Sequence, residues 1–97
     1  MKTIKALLLL MMLYPLLLSA QKYTVSGYVM DASSSETMIS ATIYDEINQR
    51  GTATNAYGFY TLTLPEGESR LRFSYVGYST HTISLNLKSD TVLNIKL

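Results

Sequence analysis

A two-residue alternation between Asn55 and Tyr78 constrains this chain more than any other stretch. Tyr60, Leu62 and Leu64 alternate with Phe59, Thr61 and Thr63. After Pro65-Glu66-Gly67, Leu71, Phe73 and Tyr75 alternate with Arg70, Arg72 and Ser74. Apolar side chains at a period of two mark strands with one buried face. A short Gly-containing connection between two such runs marks a hairpin. The stretch therefore predicts two paired strands at the centre of a β domain, and it contains no recognisable reaction centre.

The front of the chain follows a different rule. Lys2 and Lys5 give a basic start, Ala6 to Leu18 is an apolar run, and Leu18-Ser19-Ala20 ends in a small residue. This is the layout of a secretory signal peptide cleaved after Ala20. A membrane-spanning helix needs about 20 apolar residues. The run from Ala6 to Leu18 has 13 and carries Pro15, so it is too short for that role. No Cys lies near the cleavage point, so a lipid anchor is not expected. The expected plan is a signal peptide over residues 1–20 and one domain over 21–97, with no membrane span in the mature chain.

Loss of Lys2 and Lys5 leaves six basic residues against seven acidic ones, a balance of −1. That charge provides no electrostatic basis for a nucleic-acid or anionic-membrane partner. With no Cys in the chain, an exported domain of this size has no disulfide framework and must rest on one apolar core.

Alternation continues on both sides of the hairpin. Val25 and Val29 lie on the inner face of a first strand, where Gly27 marks a bulge or a close backbone approach. Asp31 to Thr37 is a polar turn cluster. Ile39, Ala41 and Ile43 predict a second strand, and Gly51 to Thr54 a short third. Asn55 and Gly58 bracket the turn into the hairpin. Ile83 and Leu85 lead a sixth strand, and Leu93, Ile95 and Leu97 a seventh running from Thr91. The predicted core is Val25, Val29, Ile39, Ala41, Ile43, Tyr60, Leu62, Leu64, Leu71, Phe73, Tyr75, Ile83, Leu85, Leu93, Ile95 and Leu97. Seven short strands with recurrent turn signals describe an all-β sandwich.

Candidate chemistry is sparse. His81 is the only histidine and has no companion for a zinc site, which needs three or four ligands. Asp45-Glu46 and Glu66/Glu68 fall in predicted turns, where no desolvated pocket would separate two carboxyl pKa values. Asp31 and Asp90 lack the dense oxygen neighbourhood that calcium requires. No nucleophile elbow or phosphate-cradling glycine loop is present. The expectation is no catalytic, cofactor-binding or metal-binding residue. Tyrosine is the one excess, eight in all. Tyr57, Phe59 and Tyr78 are the candidate interaction patch, for a protein or a glycan, against the alternative that such rings cover sandwich rims.

Several motifs in order resemble a known family. Val25-Ser-Gly-Tyr-Val-x-Asp31, Ile39-Ser-Ala-Thr-Ile43, Thr54-Asn-Ala-Tyr-Gly-Phe-Tyr-Thr-Leu62, Leu64-Pro-Glu-Gly67 and Phe73-Ser-Tyr-Val-Gly-Tyr78 resemble the carboxypeptidase-regulatory-like domain. The closing Asp90-Thr-Val-Leu-Asn-Ile-Lys-Leu97 fits as well. The likeness is to the version at the N terminus of TonB-dependent, SusC-like outer-membrane receptors of Gram-negative bacteria. It implies a transthyretin-like, seven-stranded Greek-key sandwich and a non-enzymatic accessory role beside a nutrient-uptake receptor. It also implies location in the periplasm or on the periplasmic side of the outer membrane. The partner it implies is a receptor plug or barrel, or the energy-coupling protein. Family members often carry Gly where this chain has Ser35 and Ser40, so those two turns are expected to differ locally. The receptors continue into a plug and barrel, whereas the sequence in hand ends at Leu97. A receptor fragment and a free-standing relative, such as a glycan-binding module, stay open as alternatives. Zinc ligands of the carboxypeptidase itself belong to a separate domain and do not carry over.

Overall fold

Strand β1 (Lys22–Met30) is the central strand of one of the two layers. The computed structural model describes residues 21–97, so the predicted signal peptide lies outside the described residues. Seven further strands follow: β2 (Thr42–Asp45), β3 (Arg50–Ala53), β4 (Phe59–Pro65), β5 (Gly67–Ser74), β6 (His81–Leu87), β7 (Thr91–Val92) and β8 (Ile95–Lys96). One sheet runs β4-β1-β7 with β8 also on β1, and the other runs β3-β2-β5-β6. The chain crosses between layers after β1, β3, β4 and β6, and the result is the expected Greek-key sandwich.

Both central strands form where the alternation places them, but they do not pair as the predicted hairpin, because the Pro65-Glu66-Gly67 turn carries the chain from one layer to the other. They go to different sheets, β4 against β1 and β5 against β2. Tyr60, Leu62 and Leu64 on β4 face Leu71 and Phe73 on β5 across the core. Val25 and Val29 from β1, Ile43 from β2 and Ile95 from β8 complete it. The rings of Tyr60 and Phe73 meet edge to face at 5.6 Å, a favoured aromatic geometry.

The last strand departs from expectation, which gives eight strands instead of seven. Val25 pairs with Thr91 and Val29 with Ile95, both in parallel, so the register is unbroken across the gap. Between them the backbone of Leu93 turns inward. Its carbonyl stands over Gly27, where an added Cβ would lie 1.9 Å from the oxygen. The same carbonyl accepts a 2.7 Å hydrogen bond from the Tyr60 hydroxyl. Asn94 fills the vacated place on the ladder, its Oδ1 accepting from the Tyr28 amide at 2.9 Å. The close approach predicted at Gly27 is thus real, and it is what splits one strand into β7 and β8.

Two predicted core residues are exposed. Ser40 has a left-handed backbone (φ 63), which turns Met38 and Ala41 inward and Ile39 outward. Strand β2 consequently begins at Thr42 and not at Ile39. Buried Thr54 holds this kink: its hydroxyl donates to the Met38 carbonyl at 2.5 Å and accepts from the Ala41 amide at 2.9 Å. Tyr75 leaves the core because β5 ends at Ser74, after which Tyr75 to Tyr78 closes a turn through a 3.0 Å backbone bond. Ser35 (φ 61) and Ser40 both take the left-handed conformation that favours glycine, so serine occupies a glycine-like backbone at both turns. Ile83, Leu85, Leu93 and Leu97 pack against the core half-buried, while Met38 and Leu87 join it fully.

Asp45 is the other departure. Sequence position puts it in a turn, yet it is fully buried on the inner face of β2. Its carboxylate accepts from the amides of Ile47 (3.0 Å) and Arg70 (3.1 Å) and from the Asn48 side chain (2.6 Å). Those bonds replace water around a buried anion, as burial of a charge demands. Asp45 closes the β2–β3 turn and fastens it to β5, a structural task.

Candidate interaction surface

Register fixes which loops share an end of the sandwich. Tyr28 pairs with Phe59, Thr42 pairs with Ser74 and with Ala53, and Phe73 pairs with His81. The connections 31–41, 54–58 and 75–80 therefore gather at one end, and Leu97 joins them through bonds to Met30 and Ala32. The three predicted patch residues all lie here. Tyr57 is 76% exposed. The ring of Phe59 packs on Tyr28 at 5.2 Å, and that of Tyr78 on Tyr75 at 5.7 Å.

Around Tyr78 the structure adds residues that the sequence reading placed elsewhere. Val76 is 95% exposed and Ile39 52%, with Tyr75 and Tyr78 each more than a third exposed. Ile39, Tyr75 and Val76 line a cleft of about 730 Å³ together with Ser40, Thr42 and Ser74. Ile39, Tyr75 and Tyr78 line a second cavity of about 210 Å³ with Asp31, Glu36, Thr37 and Met38. The two hollows share Ile39 and Tyr75, so these apolar side chains form one ledge between them. Alternation hid this ledge, because Ile39 and Tyr75 continue the inward pattern of neighbouring strands. The signal that could have revealed it is Gly77, whose left-handed backbone (φ 86) belongs to the turn that follows β5.

A polar clasp holds the ledge. Asp31 Oδ1 accepts from the Ser33 hydroxyl (2.6 Å) and from the amides of Ser33 and Ser34 (both 2.8 Å). Its Oδ2 accepts from the Tyr78 hydroxyl at 2.5 Å. The Ser33 hydroxyl, then Tyr78 and the two amides, hold the Asp31 carboxyl well below the usual carboxylate range. The same bond pushes the Tyr78 phenol up, since ionising it would set two negative charges together. The loop after β1 and the loop after β5 are tied by this pair.

Gly58 fixes the third loop. Its φ is +74, and a Cβ there would lie 2.6 Å from the Thr37 side chain. The Asn55 carboxamide oxygen accepts from the amides of Tyr57 (2.9 Å) and Phe59 (3.1 Å), which shapes the turn that carries Tyr57 outward.

The other weighed side chains take no part in the ledge or its clasp. His81 is exposed at the start of β6. Glu46 pairs with Arg70 at 3.0 Å and Arg72 at 3.6 Å. Asp90 accepts from the Thr24 amide at 2.9 Å. Among the described residues, no group of three or more His, Cys, Asp or Glu is placed to hold a metal ion.

Comparison with known proteins bears on this geometry. The family model described as the CarboxypepD_reg-like domain matches residues 25–97. No curated protein matches the sequence. Similar solved structures include a DUF3823 family protein from Parabacteroides merdae, with TM-score 0.58 and 18% identity. That alignment covers 80% of this chain and 46% of the other. A DUF3823 family protein from Bacteroides ovatus aligns with TM-score 0.56 and 17% identity, over 78% and 44% of the two chains. The Bacillus anthracis TIE protein aligns with TM-score 0.55 and 17% identity, over 78% of this chain and 16% of its own. The chain thus spans less than half the length of each, and at these identities the likeness is one of fold.

Proposed function

The chain belongs to the CarboxypepD_reg-like domain family, and from that membership we propose that it is a non-catalytic module acting by protein contact. The system it serves is a TonB-dependent outer-membrane receptor for nutrient uptake, and its place is the periplasm or the periplasmic side of the outer membrane. The observation that carries the reading is the ledge of Ile39, Tyr75, Val76 and Tyr78. A chain that buries Val25, Leu64, Leu71 and Phe73 completely leaves Val76 95% exposed beside two half-exposed tyrosines. Contiguous exposed apolar groups of this kind, rimmed by polar residues, mark interaction sites. Tyr is also among the residue types enriched at the energetic centres of interfaces.

The clasp supports the same reading. Asp31 and Tyr78 hold the loops in place before any partner arrives, and preorganisation lowers the entropy lost on binding. Asp45, Glu46 and Asp90 are occupied by bonds that shape turns and fasten strands, which leaves them engaged in the fold instead of free for chemistry.

A photo-crosslinking amino acid placed at Val76 in producing cells tests the proposal. The expected product is an adduct with the plug or barrel of an outer-membrane receptor. Adducts with cytoplasmic proteins alone, or a mature chain that binds oligosaccharides through Tyr57 and forms no protein adduct, would overturn it.

A further inference from the structure

A sandwich of two open sheets has edges, and natural proteins guard them. The edges here differ in how they are guarded. Strand β3 is four residues long, begins with Arg50 and runs beside β4. Strand β4 ends in Pro65. The β7–β8 edge is two short pieces interrupted where Leu93 turns inward, and it carries Lys96. Strand β6 is the exception. Its seven residues, His81-Thr-Ile-Ser-Leu-Asn-Leu87, contain no proline, no lysine or arginine and no carboxylate. It closes the β3-β2-β5-β6 sheet, and among the described residues no strand pairs with its outer side.

We propose that β6 pairs antiparallel with β6 of a second copy of this chain, joining the two four-stranded sheets into one. One register of this self-pairing keeps apolar residues against apolar ones on the inner face and polar against polar on the outer face at its centre. Pairing centred on Ser84 sets Ser84 opposite Ser84, Ile83 opposite Leu85, Thr82 opposite Asn86 and His81 opposite Leu87. It uses all seven residues. A slip of one residue would set inward Ile83 against outward Ser84 and turn the second sheet over, because side chains alternate faces with a period of two. A slip of two leaves residues at each end unpaired.

The centred register also matches the exposure of the strand. Ile83 and Leu85 point toward the core yet stay half-exposed, whereas Leu87 is buried. Cross-strand Ile83–Leu85 contacts would finish covering them, and such apolar pairs stabilise antiparallel strands. On the outer face, Thr82, Ser84 and Asn86 meet polar partners with no like charges opposed. A two-fold axis through Ser84 makes the contact isologous and closed, so it yields a dimer and not a fibre. None of the ledge residues Ile39, Tyr75, Val76 and Tyr78 belongs to β6, and the inference stands independently of the receptor reading.

The test uses the mature protein purified from producing cells. Sedimentation is expected to give twice the mass of one chain. Ser84→Lys, at an exposed outward position, is expected to return the mass of one chain while the circular-dichroism spectrum keeps its β signature. The chain has no Cys, so a single introduced thiol can pair only with its counterpart in a second copy. Ser84→Cys is expected to oxidise to a covalent dimer faster than Thr82→Cys or the β4 control Thr61→Cys. A wild-type protein that sediments as one chain throughout the micromolar range overturns the proposal. So does a dimer unaffected by Ser84→Lys, or one crosslinked first through Thr61→Cys.

Discussion

The hydroxyl of Tyr60 on β4 donates a 2.7 Å hydrogen bond to the backbone carbonyl of Leu93, between β7 and β8. Tyr60 is buried, with 1% of its surface exposed, so the contact ties the interior of the sandwich to the closing strand. Removing the hydroxyl leaves the carbonyl without that donor. Tyr60→Phe is expected to cost about 1–3 kcal/mol, read as a shift in the urea midpoint. The pH dependence follows from burial, which pushes the Tyr60 phenol well above its ordinary 10.0. A raised folded-state value means the stabilisation is complete below about pH 10 and declines as pH rises beyond it. Wild-type stability should fall in that alkaline window, and Tyr60→Phe should flatten the fall. Parallel alkaline curves for the two proteins would count against the assignment.

Gly27 answers to the same carbonyl. A Cβ at this position would sit 1.9 Å from the Leu93 oxygen and 2.6 Å from its carbon, both backbone atoms. Neither can rotate away, so Gly27→Ala must displace the closing strand from β1. Overpacking of this kind costs about 3 kcal/mol, which is a large part of the stability of a small domain. Amide hydrogen exchange offers the sharper readout. Leu93 and Leu97, whose amides donate to Ser26 and Met30 at 2.8 Å, should lose protection ahead of Leu62 and Leu71. Uniform loss across the chain would mean that the closing strand is not the weak point.

Much of this architecture is legible in the order of residues. The two central strands follow from Tyr60 to Leu64 and Leu71 to Phe73, because a buried face forces alternation, but their pairing as a hairpin does not: the turn at Pro65-Glu66-Gly67 sends β4 and β5 to different sheets. Gly27 announced a close approach. What alternation cannot show is where a strand stops. Ile39 and Tyr75 keep the inward phase, but the left-handed Ser40 and the turn at Gly77 reverse their sense, and residues expected in the core become the ledge. Asp45 was hidden for a related reason. Its acidity reads as turn chemistry, and only the third dimension shows the Arg70 amide and Asn48 side chain that let it be buried. Of the predicted patch, Tyr57, Phe59 and Tyr78 reach one end, while Val76 carried no periodic signal at all.

Serine at a glycine-like backbone leaves recoverable strain. Ser40 holds φ at 63 with its amide donating to the Thr54 carbonyl at 3.1 Å. A non-glycine residue in this region costs roughly 1–2 kcal/mol. Ser40→Gly relieves that cost and adds freedom to the unfolded chain, so the expected net gain is about 0.5–1 kcal/mol. The melting temperature should rise by a few degrees for a domain of this size. A drop in melting temperature would show that the Ser40 side chain makes a contribution larger than the backbone strain.

The Asp31–Tyr78 clasp can be read by titration. Four donors hold the Asp31 carboxyl well below its model-peptide value of 3.8. A depressed folded-state value means the clasp is intact at neutral pH and is lost only as pH falls below the ordinary carboxylate range. Tyr78→Phe removes one donor and keeps those from Ser33 and Ser34, the Ser33 hydroxyl being the strongest. Carbon-13 titration of the Asp31 carboxyl should therefore show its midpoint rise part of the way toward 3.8. Both groups lie at the surface, so thermal stability at neutral pH should barely move. A midpoint that is the same in both proteins would show that the Tyr78 hydroxyl does not reach Asp31 in solution.

Val76 separates binding from folding better than any other residue of the ledge. At 95% exposure it contributes almost nothing to the core, and surface changes of this type alter stability by about 0.5 kcal/mol or less. Val76→Asp should thus melt with the wild type. It places a charge where a partner would have to desolvate it, and loss of a central apolar contact at an interface commonly costs about 2 kcal/mol. Affinity for a receptor plug or barrel should fall roughly 30-fold, since 1.4 kcal/mol corresponds to tenfold. Val92 supplies the control. It is also apolar and 71% exposed, but it lies on β7 opposite Ser26, away from the loops that carry the ledge. Val92→Asp should leave affinity unchanged. If the two substitutions weaken binding equally, general surface hydrophobicity and not the ledge draws the partner, and the role given to Tyr75, Val76 and Tyr78 is lost with it.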